Sequence, residues 1–377
     1  MKLIILGAGA SFDSIYEYYD DINEMEWRPP LANEIFSPRR NFRDIILSYP
    51  GGRYFMSQLN GISDIEEFFE KQWEIIENNR ADDLMAAFIN LNYCLSHLMY
   101  RISYAHHDTG LSNYDVLVQK AYEYSVKYDE EVMFVTFNYD ILLEFSISKV
   151  YYGHSRQLEI AEYLNKPLKI IKPHGSCNWF KKLNVRYQVK RDENIHNQIY
   201  HSRLTIKKLN ELLDKEFKIL STPLNFSVQQ QLSTTIEYYF PQLLIPLKEK
   251  DDFILPKSHD EYLKNNLKKV NEILIIGWKG TENRFLELLQ QNIGAKKINI
   301  TCVNAGNTDI WKALTPILPN ATAINFSERI HLTRIDNTNL STKDDEKTYH
   351  IQPTAGSFSA YIISLMQNKH KSIFETK

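Results

Sequence analysis

Short apolar runs, each ending in glycine or polar residues, recur along the chain. Residues 3–6 run into Gly7-Ala8-Gly9-Ala10-Ser11, and Val132–Thr136, 168–172, Glu272–Ile276, Ile298–Val303 and 321–326 follow the same plan. Several are β-branched and lack alternation, the pattern of parallel strands covered by helices on both faces. Stretches of helical period follow at 139–151, 281–292 and 310–317. This strand–turn–helix repetition predicts an α/β fold, a doubly wound and mostly parallel Rossmann-like sheet.

Between the first two strands the texture changes. Residues 65–76, 81–106 and 114–128 carry apolar side chains at helical spacing, which predicts a large helical insertion over roughly 35–130. It is expected to begin after a Pro29-Pro30 break and a Pro50-Gly51-Gly52 turn. A smaller second insertion spans roughly 181–240, with an alternating strand at Val185-Arg186-Tyr187-Gln188-Val189 and an amphipathic helix over 204–220. Residues 331–354 are polar and read as a surface excursion before a last helix at 357–367. The expected organisation is one α/β domain over 1–327 and a C-terminal extension over 328–377.

Composition narrows the class. The 377 residues are 43% hydrophobic and 24% charged, an ordinary globular balance that excludes global disorder. Forty-four basic residues against 47 acidic ones give a net charge of −3, so no global field exists to hold a polyanion, and direct nucleic-acid binding is not expected. The local basic run Lys181, Lys182, Arg186, Lys190 and Arg191 is either a contact for nucleic acid or an acidic partner or, the favoured reading, a solvated face. Three cysteines, Cys94, Cys177 and Cys302, exclude a four-cysteine zinc site by count and suit a reducing compartment. The first apolar run is too short for a signal peptide and no window has the length of a membrane span, so a cytoplasmic protein is expected. No G-x-x-x-x-G-K-[ST] motif is present.

Five segments carry candidate chemistry, each at the carboxyl end of an expected strand, where open α/β sheets bind ligands. Gly7-Ala8-Gly9-Ala10-Ser11 lets a backbone approach a diphosphate at a helix start, or serves as a plain tight turn. The third glycine of a dinucleotide fingerprint is replaced by Phe12. In Thr136-Phe137-Asn138-Tyr139-Asp140, Asn138 is either a ligand-facing amide or a helix cap. In Lys172-Pro173-His174-Gly175-Ser176, His174 is either a base titrating near neutrality or a structural histidine. Gly277 opens a turn before a helix, and Asn304 either holds ribose hydroxyls or makes an Asx-turn.

Together and in this order these segments resemble the sirtuin-like NAD-consuming family, specifically its bacterial branch. The likeness spans roughly residues 1–327, with the specific motifs filling about a tenth of it. It implies that the glycine-rich turn (Gly7, Ala8, Gly9) takes the NAD diphosphate, that Asn138 sits at the nicotinamide ribose, that His174 is the catalytic base, and that Asn304 contacts the adenosine ribose. Ser11, Asp13, Asp140 and Gly277 are further candidates for the NAD pocket. The missing zinc ribbon shifts weight from acyl-peptide chemistry to water as acceptor. The resemblance therefore implies an NAD hydrolase that releases nicotinamide and ADP-ribose without a metal, acting as a regulated effector of antiphage defence. It further implies a homo-oligomer and a partner such as a HerA-type ATPase or an Argonaute-like protein, with interfaces drawn from the 65–128 helices or the last helix. A second reading is a module that senses NAD or ADP-ribose without turnover; a third, disfavoured by the cysteine count, is an NAD-dependent protein deacylase.

Overall fold

Apolar runs buried on both sides build the central sheet, with one exposed edge strand, Ala321–Asn325. In the computed structural model, β1 (Lys2–Leu6), β2 (Val132–Thr136), β3 (Leu168–Ile171), β8 (Glu272–Ile276), β9 (Ile298–Val303) and β10 (Ala321–Asn325) form one six-stranded sheet in the order β10-β9-β8-β1-β2-β3. Every pairing in it is parallel. Alternate residues feed two separate cores: Ile4, Leu6, Val132 and Phe134 face one side, and Leu3, Ile5, Met133 and Val135 face the other. With both faces covered, continuous apolar runs rather than alternation are what the strands need. The order reverses direction between β1 and β8, and that reversal opens a crevice at the carboxyl ends of the two strands. The structure describes residues 1–14, 27–59, 62, 64–79, 81–107, 112–165, 167–184, 195–203, 205–220, 227–229, 236–245, 253–304, 309–326, 332–335, 348–351, 357–367 and 373–375.

The β1–β2 connection holds the expected helical insertion: helices Arg40–Ser48, Pro50–Gln58, Ile65–Asn79, Asp82–His107 and Asn113–Tyr128. Pro50-Gly51-Gly52 is not the expected turn. Pro50 occupies the first helical position, where its missing N–H costs nothing. Gly51 is required by packing, since a Cβ there would lie 2.3 Å from the Ala87 carbonyl oxygen of the long helix. The aromatic residues of the insertion pack against one another; Phe69 meets Phe55 and Phe88 edge-on, and those two rings lie tilted to each other, in one buried group.

The second insertion builds a four-stranded antiparallel sheet in the order β5-β4-β7-β6, from β4 (Gly175–Leu183), β5 (Leu213–Ile219), β6 (Ser227–Gln229) and β7 (Ile236–Leu243). The helix expected over 204–220 is only Ile206–Leu212; the chain then becomes β5, whose exposure alternates over residues 216–219 as in a half-buried strand. The strand expected at 185–189 lies outside the described residues. Within 331–354, Leu332–Ile335 and Thr348–Ile351 pair antiparallel. The last helix, Phe358–Met366, buries Phe358, Tyr361, Ile362 and Leu365 in the same core as the Asn113–Tyr128 helix, so its apolar face is already covered and is not a free interface. No described helix is long and apolar enough to cross a membrane.

Candidate functional site

Gly7 ends β1 and Gly277 ends β8, and the two turns touch backbone to backbone. Gly7 donates its N–H to Ile276 O at 3.0 Å, and Gly9 donates to Gly277 O at 3.1 Å. Gly277 has φ +61°, and a Cβ there would stand 2.3 Å from the Ala10 nitrogen; one on Gly7 would stand 2.4 Å from Gly277 O. The glycines are therefore demanded by the packing of two turns at the sheet's switch point. This packing also engages the Gly7 and Gly9 N–H groups with the neighbouring β8 end and its turn.

Around this junction lies a cavity of about 380 Å³. Its wall carries Gly7, Ala8, Gly9 and Ser11 from the first turn, Asn138 and Asp140 after β2, His174 after β3, Gly277 after β8 and Asn304 after β9. Of the residues singled out in the sequence, Asp13 alone is missing from this wall. Its carboxylate turns the other way, accepting from Ser359 N at 2.9 Å and Ser359 Oγ at 2.7 Å. Burial pushes its carboxyl above the usual range even against those bonds. Asp13 thus fastens the first turn to the start of the last helix.

Asn138 is buried and its carboxamide has a defined orientation. Gly7 O can only accept, so the atom 2.9 Å from it is the nitrogen Nδ2. The same Nδ2 lies 2.9 Å from Ser11 Oγ and 3.3 Å from Tyr114 Oη. Asn138 is not a helix cap: the following helix starts at Leu142, and Asp140 Oδ1 accepts from the Leu142 N–H at 3.2 Å. His174 is also buried, its ring 4.9 Å from that of Phe137 and 6.3 Å from that of Tyr139. Phe137 stacks at 5.5 Å on Trp278, whose indole N–H donates to Glu282. One aromatic wall therefore joins the β2, β3 and β8 ends.

Two ties hold the Asn138 and His174 segments in register. Cys177 donates its N–H to Tyr139 O at 2.9 Å. Lys172 Nζ donates to Asp140 O and pairs with Glu144 Oε1 at 2.8 Å, both side chains fully buried. Burial pushes the Glu144 carboxyl above its ordinary range, with Lys172 opposing that rise. At the far side of the cleft, Asn304 Nδ2 donates to Trp278 O at 3.1 Å.

The helical insertion supplies cleft residues that motif reading does not find. Ile35, Glu66 and Met99 line the wall. The Tyr139 phenol is pushed up by burial, with Glu66 and Glu282 adding to the effect. Nothing in the pattern of a helix rich in tyrosine distinguishes Tyr114 from its neighbours, and Glu66 is one of several acids opening its helix. Among the described residues no group of three His, Cys, Asp or Glu side chains is arranged to hold a metal ion. The three cysteines are buried and unpaired, each thiol pushed up by burial, with Cys302 reaching about 12.

No family model matches the chain, and no curated protein matches it. Among solved structures it is similar to a Sir2 homologue in complex with NAD, at 10% identity over 85% of this chain and 83% of that one, with a TM-score of 0.33. It is also similar to a structure described as the basis for the mechanism and regulation of Sir2 enzymes, at 11% identity over 98% and 92% of the two chains, TM-score 0.33. A third is a Sir2 homologue variant with 2′-O-acetyl ADP-ribose, at 13% identity over 86% and 85%, TM-score 0.34. Likenesses this distant carry no weight for the chemistry of the cleft, which rests on its own residues.

Proposed function

We propose that the chain is an NAD hydrolase, cleaving the nicotinamide–ribose bond to give nicotinamide, ADP-ribose and a proton at the expense of one water. The observation that carries this reading is the shared cleft at the switch point of the parallel sheet, whose wall holds both the Asn138 carboxamide and the His174 imidazole. A cavity of about 380 Å³ lies within the span of ordinary small-molecule sites, roughly 300–1,000 Å³.

As the C–N bond breaks, the pair of electrons leaves with nicotinamide and positive charge builds on the ribose. Asn138 Nδ2 is spent on Gly7 O and Ser11 Oγ, so Oδ1 is the carboxamide atom left to face that charge and to orient water. His174 takes the proton from the attacking water or from a ribose hydroxyl. Phe137 and Trp278 offer flat apolar surface beside it, and Asn304 and Asp140 supply polar atoms for hydroxyl groups. Ala8 and the outer face of the first turn are left to meet the diphosphate. Gly7, Gly9, Ser11 and Gly277 shape that turn.

The likeness of the motifs to the bacterial branch extends this reading to a regulated effector of antiphage defence, acting with copies of itself or with a partner of the ATPase or Argonaute-like kind. The test is nicotinamide release from NAD by the purified protein, alone and with a candidate partner, beside Asn138→Ala and His174→Ala. Release that both substitutions abolish supports the hydrolase. ADP-ribose binding without release would move the assignment to a sensing module.

A further inference from the structure

We infer that Tyr114, which lies in the helical insertion and outside every motif of the sheet, is a positioning residue for Asn138; the inference rests on the hydrolase reading and deepens it. Tyr114 Oη is 2.9 Å from Ser11 Oγ and 3.3 Å from Asn138 Nδ2, and Ser11 Oγ is itself 2.9 Å from Asn138 Nδ2. Three polar groups from three separate parts of the chain thus close a buried triangle against the back of the carboxamide. Asn138 has two N–H bonds to give. One goes to Gly7 O, and the other falls between the two hydroxyls.

That arrangement gives Tyr114 a defined effect. A carboxamide can rotate about its last side-chain torsion at little cost, which would exchange Oδ1 for Nδ2 at the cleft. Here rotation would set Oδ1 against Gly7 O, an acceptor against an acceptor, whereas the two hydroxyls, able to donate as well as accept, would follow either orientation. Gly7 O sets which way the amide faces, and Tyr114 holds it in place, because its buried hydroxyl ties Ser11 Oγ and Asn138 Nδ2 into one network with no solvent to replace it. The phenol is itself fixed. Its ring packs edge-on against Phe358 of the last helix, and its neighbour Asn113 donates to Asp13 O at 2.6 Å and to Ser359 Oγ at 2.9 Å. The insertion and the last helix therefore hold the orientation of an amide that the sheet presents.

The experiment compares wild type, Tyr114→Phe, Asn138→Ala and the double variant by NAD turnover, ADP-ribose binding and thermal melting, and follows the Asn138 side-chain NH₂ resonances by isotope-edited NMR. Tyr114→Phe keeps the ring and the fold. We expect kcat to fall by about tenfold, the size of one lost hydrogen bond felt in the transition state, with KM and ADP-ribose affinity nearly unchanged. In the Asn138→Ala background the same substitution should change the residual rate by less than about twofold. An equal loss in both backgrounds, or an unchanged kcat with unchanged NH₂ resonances, overturns the inference. If wild type releases no nicotinamide the hydrolase reading fails by itself. The NH₂ resonances then decide the inference: faster proton exchange in Tyr114→Phe supports the positioning role, and unchanged exchange ends it.

Discussion

Lys172 and Glu144 meet at 2.8 Å with neither side chain reaching solvent, directly behind the two segments that carry His174 and Asn138. A charge removed from water must be paired, and here one ammonium also holds the Asp140 carbonyl, so one group joins the β2 and β3 ends. Lys172→Met strands the Glu144 carboxylate and should cost about 3–5 kcal/mol of stability at neutral pH. Burial holds the Glu144 carboxyl above its ordinary value, so it is readily protonated in acid. The penalty should therefore grow as pH rises through and above the carboxylate range and shrink below it. Urea unfolding of wild type, Lys172→Met and Lys172→Met/Glu144→Gln measures this, the double variant recovering part of the loss.

Buried histidines set the acid limit. Burial pushes His106 down to about 3, and His97, His196 and His259 down to about 4, from an ordinary 6.5. Below 6.5 the unfolded chain takes protons that the folded one refuses. The stability these groups contribute is thus fully present above 6.5 and drains as pH falls toward their folded values. The melting temperature should fall steadily between about pH 6.5 and about pH 4, and His106→Gln should flatten part of that slope.

Gly277→Ala tests the contact between turns. The added methyl would sit 2.3 Å from the Ala10 nitrogen at φ +61°, so strain and clash act together. A loss of at least ~2 kcal/mol in unfolding free energy is expected, with ADP-ribose binding lost as the first turn shifts. An intact midpoint would show that the two turns can separate at little cost.

Ser359→Ala removes two hydrogen bonds, one donated by its hydroxyl to Asp13 Oδ1 at 2.7 Å at the base of the first turn and one accepted from Asn113 Nδ2 at 2.9 Å. The Asp13 carboxylate is left buried with one donor fewer, which should cost about 1–3 kcal/mol in urea unfolding. The same measurement on Ser364→Ala, on the same helix, controls for the loss of a buried hydroxyl in general.

How far the sequence could be read depended on what each residue answers to. Five of the six strands are legible because sheet residues buried on both faces leave an apolar run, while the exposed edge strand β10 has no such reason; the chemistry-bearing segments stand out because each ends such a run. Pro50-Gly51-Gly52 misled because its glycines answer to packed helices, Gly51 to Ala87 of one that arrives later in the chain and Gly52 to Ile46 of the one before it. Residues 213–219 misled because a short amphipathic segment satisfies helix and strand periods alike. Asp13 belonged to Ser359, at the opposite end of the sequence, and no local pattern records such a partner. Tyr114 is invisible for the same reason: only the folded chain brings its hydroxyl to Asn138.

The most direct test of the central claim is quantitative release of nicotinamide and ADP-ribose from NAD by wild type, His174→Ala and Asn138→Ala, each shown to be folded by its melting curve. Wild type should give equimolar products, with a loss of about 10²–10⁴-fold on removing the His174 base and a loss at least as large for Asn138→Ala. An Asn138→Ala protein that consumes NAD as fast as wild type would contradict that claim.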